Sequence, residues 1–228
     1  MTRFAAVALL LYVSPAIAQR AVFAPVEDDP DLPRVLLIGD SISIGYTLPV
    51  RERLAGVANV HRPPTNCGPT TRGLENLEKW LAAENDGGGD WDVIHFNFGL
   101  HDLKYVDADG KNTSPGKGEL QVPPDEYRAN LTKIVERLQK TGAKLIWRPT
   151  TPVPAGAKSR VEDAEERYNA IAAEVLDGLG VTVNDLNPIV EADAKLQKPK
   201  DVHFTPAGNA ALADAVANAI RGALSKRE

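Results

Sequence analysis

The sequence predicts an α/β protein with a five-stranded parallel sheet and helices on both faces. Short apolar runs alternate along the chain with longer segments whose apolar residues recur every three or four positions. Runs of the first kind are typical of buried strands, and segments of the second kind are typical of amphipathic helices. Strands that alternate with helices form parallel sheets covered on both faces. A chain of 228 residues is long enough for one such domain.

The elements follow in order from these two patterns. The strands are predicted at residues 34–38, 57–61, 92–99, 144–147 and 181–183. The helices are predicted at about residues 44–54, 71–83, 124–138 and 161–175, and from residue 206 onward. Thr71 is expected to cap the second helix, whose apolar face would include Leu74. Residues 106–122 have no pattern, and this long irregular loop is the candidate for the edge that recognises a substrate.

The first 18 residues have the pattern of a secretory signal peptide. Arg3 supplies the positive charge, residues 5–13 are apolar, and Ala16-Ile17-Ala18 resembles a cleavage site. The alternative is a membrane anchor, but a spanning helix needs roughly 20 apolar residues. We therefore expect a signal peptide at 1–18, a linker at 19–32 and a domain at 33–228, in a protein that is secreted or periplasmic without stable membrane insertion.

The net charge argues against one class of partner, and the cysteine content excludes an intrachain disulfide. The net charge of −5 argues against a nucleic-acid partner, which requires a basic face. Cys67 is the single cysteine, so no intrachain disulfide can form. No motif calls for a cofactor, and a monomer is expected.

The first predicted strand ends in Gly39-Asp40-Ser41. Parallel sheets carry their active sites at the carboxyl ends of the strands, so Ser41 is a candidate nucleophile. A serine hydroxyl needs a base to take its proton, and histidine suits that role near neutral pH. His203 is the best candidate because it precedes the last helix and follows Asp201, which could orient its ring. The alternative is that Ser41 only caps a helix and that His203 is a surface residue.

Four short blocks in a fixed order carry a resemblance to a known family. They are Gly39-Asp40-Ser41, Gly68, Gly99-Leu100-His101-Asp102 and Asp201-Val202-His203. With this order and spacing, residues 34–208 resemble the SGNH hydrolases, also called GDSL esterases. The resemblance implies a three-layer, flavodoxin-like sandwich and metal-free hydrolysis of esters by a Ser-His-Asp triad. It assigns Ser41 as nucleophile, His203 as base and Asp201 as its partner, with an oxyanion hole formed by the Ser41 and Gly68 N–H groups and a side chain of the third block.

The chain departs from the family pattern at two places. His101 stands where the family usually has asparagine, and a neutral imidazole can still donate one N–H. Asp201 lies two residues before His203, whereas the usual spacing is three, a position that Lys200 occupies here. Asp102 is the alternative partner for the histidine, and both Asp40 and Asp102 are candidates for a supporting role.

Other functions stay open at this stage. A metal-dependent hydrolase would use His95, His101, Asp102 and His203, although their spacing is not a strong ligand signature. A weakly active or inactive SGNH-like protein could bind glycans without hydrolysing them. A flavin- or phosphate-binding module is disfavoured because Asp40 is acidic and no glycine-rich phosphate loop is present. The preferred hypothesis is a secreted serine esterase acting on a small-molecule or polysaccharide ester, with a short acyl (acetyl) group on carbohydrate.

Overall fold

The computed structural model describes residues 21–82 and 89–225. The predicted signal peptide at residues 1–18 lies outside the described residues. The described part of the predicted linker packs against the domain: the Asn59 side chain accepts from the Asp29 N–H (3.0 Å) and donates to the Asp29 carbonyl (2.8 Å). Within residues 21–82 and 89–225, no helix is both long and apolar enough to cross a membrane.

A five-stranded parallel sheet forms the centre of the molecule, as predicted. The described residues form strands β1 Arg34–Ile38, β2 Asn59–His61, β3 Val93–Phe96, β4 Tyr105–Val106, β5 Glu119–Leu120, β6 Lys144–Trp147 and β7 Thr182–Val183. All of these except β4 and β5 belong to the central sheet. The order in the sheet is β2-β1-β3-β6-β7, and each of its pairs is parallel. This order reverses direction between β1 and β3, and such switch points are where ligands bind in open α/β sheets.

Helices cover both faces of this sheet. They are α1 Ser41–Arg53, α2 Thr70–Ala82, α3 Pro124–Gln139, α4 Ala164–Leu176, α5 Asn187–Ala192 and α6 Pro206–Ser225, with a 3₁₀ helix at Ala194–Leu196. Helix α1 packs against α6, while α3 packs against α2 and α4. Residues of β1, β3 and β6 between these two layers are buried, including Leu37, Phe96 and Trp147. The fold is therefore the predicted three-layer sandwich.

The structure corrects several predicted boundaries. Helix α1 starts at Ser41 rather than 44, because the Asp40 carboxylate accepts from the Ile42 N–H (2.9 Å) and caps it there. Helix α2 starts at Thr70, so Thr71 lies inside the helix and is not its cap. Leu74 is 37% exposed and does not belong to the apolar face.

The loop at residues 106–122 is more ordered than its sequence suggests. Strands β4 and β5 form a short antiparallel ladder in which Tyr105 pairs with Leu120 and Val106 with Glu119. Two-residue strands show no alternation long enough to be detected in a sequence. Helix α5 and the 3₁₀ helix after it were likewise not predicted.

Candidate active site

Ser41 lies at the carboxyl end of β1, where the chain turns into α1. The backbone carbonyl of Asp40 accepts from the Ser43 hydroxyl (2.9 Å), and the Asp40 carboxylate caps the helix by accepting from the Ile42 N–H. Ser41 is thereby the first residue of α1, and its side chain remains partly exposed. The N–H groups of a first helical turn have no partner within the helix. The turn therefore presents a hydroxyl and a free backbone donor at the same place.

His203 meets Ser41 at this edge of the sheet. The Nε2 atom of His203 lies 2.9 Å from the Ser41 Oγ atom, and its Nδ1 atom lies 2.7 Å from Oδ1 of Asp201. The same carboxylate oxygen accepts from the His203 backbone N–H at 3.1 Å. His203 precedes α6, which Thr205 caps by accepting from the Gly208 N–H (3.1 Å). The structure thus brings together the three residues that the sequence analysis proposed as a triad.

The geometry selects one tautomer of the His203 ring. Burial alone would raise the pKa of Asp201, but the hydrogen bonds from the His203 ring and backbone outweigh it, and the pKa lies below its ordinary value. Asp201 is therefore ionised near neutral pH and can only accept. The Nδ1 atom of His203 then carries the hydrogen, which leaves Nε2 free to take a proton from Ser41.

A tight turn compensates for the short spacing between Asp201 and His203. The Lys198 N–H donates to the His203 carbonyl (2.9 Å), and the Asp201 N–H donates to the Lys198 carbonyl (3.2 Å). Lys200 has a φ of 57°, a left-handed conformation that is uncommon for a residue with a side chain. This turn directs the Asp201 carboxylate back to the imidazole, so a two-residue spacing is sufficient.

Gly68 and His101, the other two proposed oxyanion donors, line one cavity of about 660 Å³ beside this edge. Gly68 has a φ of 67°, which a glycine adopts without cost. Its N–H donates to Oδ1 of Asn66 at 3.0 Å, so this donor is engaged in the structure. An oxyanion must share this donor with Asn66 or displace the amide.

The His101 ring is neutral near pH 7. Burial lowers its pKa to about 4, and the cations Lys104, Arg160 and Arg72 act in the same direction, while Asp40 opposes them. A neutral imidazole donates one N–H and carries no charge. Within the described parts of the chain, no hydrogen bond occupies this ring. His101 therefore has the chemistry required of a neutral oxyanion donor.

Asp102 connects the loops that carry Gly68 and His101. Its Oδ1 atom accepts from the backbone N–H of Thr70 (2.8 Å) and from the Thr70 hydroxyl (2.5 Å). Burial raises the pKa of Asp102 to about 7, although the bonds from Thr70 oppose this. The His203 ring is hydrogen-bonded to Asp201 and not to Asp102. Asp102, the alternative triad partner, is bonded to Thr70. Asp102 instead holds the start of α2 against the third block.

Glycine is required at the start of this third block. Gly99 has a φ of 147°, and a Cβ atom there would collide with the Thr150 hydroxyl. The hydroxyl lies 3.4 Å from the carbonyl of Phe98, which it fixes. Any side chain at residue 99 would displace the loop that carries His101.

Two buried arginines under the nucleophile turn were missed by the sequence analysis. The guanidinium of Arg148 lies 3.7 Å from the Asp40 carboxylate, and both side chains are almost fully buried. Arg62 donates to the Ser43 hydroxyl (3.1 Å) and to the Gly39 carbonyl (3.4 Å). Arg148 directly follows β6, and Arg62 directly follows β2. This position at the carboxyl edge of the sheet is the sequence signal that could have identified both arginines.

The residues of the metal hypothesis do not converge. His95 is buried in β3, where its Nε2 atom lies 3.2 Å from Oδ1 of Asn184 and burial lowers its pKa to about 4. His203 bonds to Ser41 and Asp201, and Asp102 bonds to Thr70. In residues 21–82 and 89–225, no group of three or more potential metal ligands occurs. Cys67 is also unsuitable as a nucleophile, because burial raises the pKa of its thiol to about 11.

Comparisons with known proteins give a family match and several similar folds. The family model for the GDSL-like Lipase/Acylhydrolase family matches residues 37–211. The fold is similar to the lipase/acylhydrolase from Enterococcus faecalis, with a TM-score of 0.65, 20% identity and coverage of 83% of this chain and 96% of that chain. It is also similar to Axe2, an acetylxylan esterase from Geobacillus stearothermophilus, with a TM-score of 0.63, 18% identity and coverage of 82% and 94%. A catalytic mutant of Axe2, with alanine in place of a serine, matches with a TM-score of 0.64, 17% identity and coverage of 82% and 94%. No curated protein matches the chain in sequence.

Proposed function

The chain belongs to the GDSL-like lipase/acylhydrolase family of ester hydrolases, and on this premise we propose that it is a secreted serine esterase that removes short acyl groups, acetyl first among them, from carbohydrate. The observation that carries the proposal is the continuous hydrogen-bonded path from the Ser41 hydroxyl through His203 to Asp201, with links of 2.9 Å and 2.7 Å. Both links lie within the range needed for proton transfer by a general base.

The first half of the reaction forms an acyl-enzyme. The Ser41 oxygen attacks the ester carbonyl while Nε2 of His203 takes the hydroxyl proton. The ionised Asp201 stabilises the imidazolium that results. The tetrahedral intermediate then collapses, the ester C–O bond breaks, and His203 returns its proton to the leaving alcohol.

Water completes the cycle. His203 takes a proton from a water molecule, whose oxygen attacks the acyl-enzyme carbonyl, and the second tetrahedral intermediate releases the acid and restores Ser41. The negative oxygen of both intermediates is stabilised by the Ser41 N–H, the Gly68 N–H after its release from Asn66, and the His101 N–H. All three donors are uncharged N–H groups, which stabilise the oxyanion by hydrogen bonds.

The acetyl and carbohydrate assignment is supported by two observations. One is the fold similarity to an acetylxylan esterase, whose catalytic mutant has a serine replaced by alanine. The other is the signal-peptide pattern in residues 1–18, which would deliver the enzyme to extracellular polysaccharide. The site is assembled from one chain, and a monomer is sufficient for the reaction.

The test compares acetate release from acetylated xylan by the wild type and by Ser41→Ala. We expect the variant to lose at least about 10³-fold in rate, because the nucleophile is absent. Ser225→Ala is the matched control, since Ser225 is exposed at the last residue of α6, the opposite end of that helix from His203. Equal acetate release by Ser41→Ala and wild type would refute the serine mechanism. Release of para-nitrophenol from para-nitrophenyl acetate without any acetate from xylan would refute only the carbohydrate assignment.

Export is tested separately. Expression of the full chain in a bacterial host is followed by intact-mass measurement of the protein in the medium and periplasm. A mature chain that begins near Gln19 is expected. A full-length chain retained in the cytoplasm would contradict the secretion part of the proposal.

A further inference from the structure

The cavity beside the proposed oxyanion donors has a positively charged wall. Besides Gly68 and His101, it is lined by Lys104 and Arg72, and Glu75 is the one acidic residue in its lining. Amide and hydroxyl side chains complete the wall, among them Asn66, Asn76, Thr71 and Gln121. The charge of this cavity is opposite to that of the whole chain, which is −5.

The two cations of the wall have no acidic partner. In residues 21–82 and 89–225, no carboxylate lies within ion-pair distance of the Lys104 ammonium or of the Arg72 guanidinium. Among the described residues, the Arg72 guanidinium has one hydrogen-bond partner, the Thr65 hydroxyl at 3.0 Å. Some arginines on other surfaces do have such partners, as in the pairs Arg53–Asp214, Arg128–Glu174 and Arg137–Glu78. The wall of this cavity thus presents two cations that are free to bind an anion.

A third cation strengthens the positive field around His101. The Arg160 guanidinium is fixed by donating twice to the Leu100 carbonyl, at 3.0 Å and 2.9 Å. Burial and the neighbouring Arg160 both lower the pKa of Lys104, and the cations together favour the neutral form of His101. Burial is the larger cause at both groups, and Asp40 opposes the cations at His101.

We propose that the ester hydrolysed at this site carries an anionic group, a carboxylate or sulfate, which binds between Lys104 and Arg72 in the cavity beside His101. This inference rests on the proposed esterase function and specifies its substrate class. For a carbohydrate ester, it selects those in which the acylated sugar or its neighbour is acidic. Charged hydrogen bonds from ammonium and guanidinium groups are the contacts that recognise carboxylates and sulfates.

The charge of this cavity would allow the enzyme to select anionic substrates. A positive cleft in an otherwise acidic molecule attracts anionic substrates selectively. His101, which lines the same cavity as the two cations, is neutral, so the cations are not themselves oxyanion donors. The cations can therefore act on substrate choice while the neutral donors act on the reaction.

The experiment measures kcat/KM for three acetyl esters of similar shape: para-acetoxybenzoate, para-acetoxybenzenesulfonate and the neutral para-acetoxybenzamide. The quantity compared is the ratio of anionic to neutral kcat/KM in each protein, so intrinsic differences between leaving groups cancel. We expect Lys104→Met to lower this ratio about five-fold and Lys104→Met with Arg72→Met about ten-fold, the size of one or two exposed charge contacts. Raising the ionic strength to roughly 1 M should lower the wild-type ratio, because the Debye length falls to about 3 Å.

Lys133→Met is the matched control, since it removes the same charge from an exposed position of α3 outside the cavity lining. Its ratio should equal that of the wild type. A ratio that is unchanged in the Lys104 and Arg72 variants, or that falls equally in the Lys133 variant, would overturn the proposal. The benzoate and the benzenesulfonate, whose sulfonate serves as an analogue of sulfate, distinguish a carboxylate site from a sulfate site.

A binding measurement separates this inference from the esterase proposal. The uncleaved amide analogue para-acetamidobenzoate is titrated into the wild type and monitored by NMR, with para-acetamidobenzamide as the neutral comparison. Stronger binding of the anion, lost in Lys104→Met, would support the anion site even if no ester were hydrolysed. Equal binding of both analogues would overturn it, whatever the esterase activity.

Discussion

The Nε2 atom of His203 lies 2.9 Å from the Oγ atom of Ser41, although the two residues are 162 positions apart in the chain. The contact depends on the parallel sheet, which places the end of β1 and the turn before α6 at one edge. Asp40 sets the position of Ser41 as the cap of α1, and Thr205 sets the turn that holds His203.

Asp201→Asn tests the role of the carboxylate. The amide has nearly the same shape but cannot favour hydrogen on Nδ1 of His203 or stabilise the imidazolium, so we expect kcat to fall on the order of 10²–10⁴-fold. Hydrolysis of para-nitrophenyl acetate measures the effect, and Asp177→Asn, at an exposed position just after α4, serves as the control. An unchanged kcat would mean that another acid acts on His203.

Substitutions of His101 test whether its neutral ring is an oxyanion donor. His101→Asn restores the residue usual in the family and keeps a donor, so most of the activity should remain. His101→Leu removes the donor and should lower kcat on the order of 10²–10³-fold. Because the pKa of His101 is about 4, its donor should persist as the pH falls from 7 to about 5. Equal kcat for His101→Leu and wild type would exclude the ring from the reaction.

Thr70→Val tests the connection between the Gly68 and His101 loops. It removes the hydroxyl that donates to buried Asp102 at 2.5 Å, and the free energy of unfolding should fall by about 1–3 kcal/mol. Urea denaturation measures this change. Thr132→Val is the control, because its hydroxyl bonds only to a carbonyl one turn back in α3. Equal stability of the two variants would contradict a structural role for the Thr70–Asp102 pair.

Much of the sheet and the proposed triad could be predicted from the sequence. The bounds of β1 and β6 are those predicted, since each is a short apolar run with a clear polar boundary. Ser41, His203 and Asp201 could be selected because their residue types suit nucleophile, base and orienting acid. The sequence could not show whether the Asp201 carboxylate reaches the His203 ring across a two-residue spacing, because this contact depends on the left-handed conformation of Lys200.

Other features of the site depend on tertiary contacts that have no local signal. Arginine is usually exposed, so the burial of Arg148 beneath Asp40 contradicts its ordinary preference. The engagement of the Gly68 N–H by Asn66 is a property of loop geometry rather than residue type. The unpaired charge of Lys104 could be recognised only once its neighbours in space were known.

His95→Gln tests the effect of a buried neutral histidine on stability at low pH. The folded-state pKa is about 4 and the unfolded value about 6.5, so unfolding takes up a proton between these limits. Stability should therefore fall with decreasing pH in this window, by up to roughly 1.4 kcal/mol per pH unit from this group. Urea denaturation at a series of pH values should give a shallower slope for His95→Gln. An identical slope would show that His95 does not titrate in this way.

The most direct test of the central claim is chemical labelling of the nucleophile. A fluorophosphonate reacts with a serine hydroxyl that a histidine has activated, and peptide mass spectrometry locates the adduct. We expect one adduct per chain on Ser41, no adduct in Ser41→Ala and slower labelling in His203→Ala, because the base is lost. An unlabelled wild type, or an adduct on another residue that survives Ser41→Ala, would contradict Ser41 as the nucleophile activated by His203.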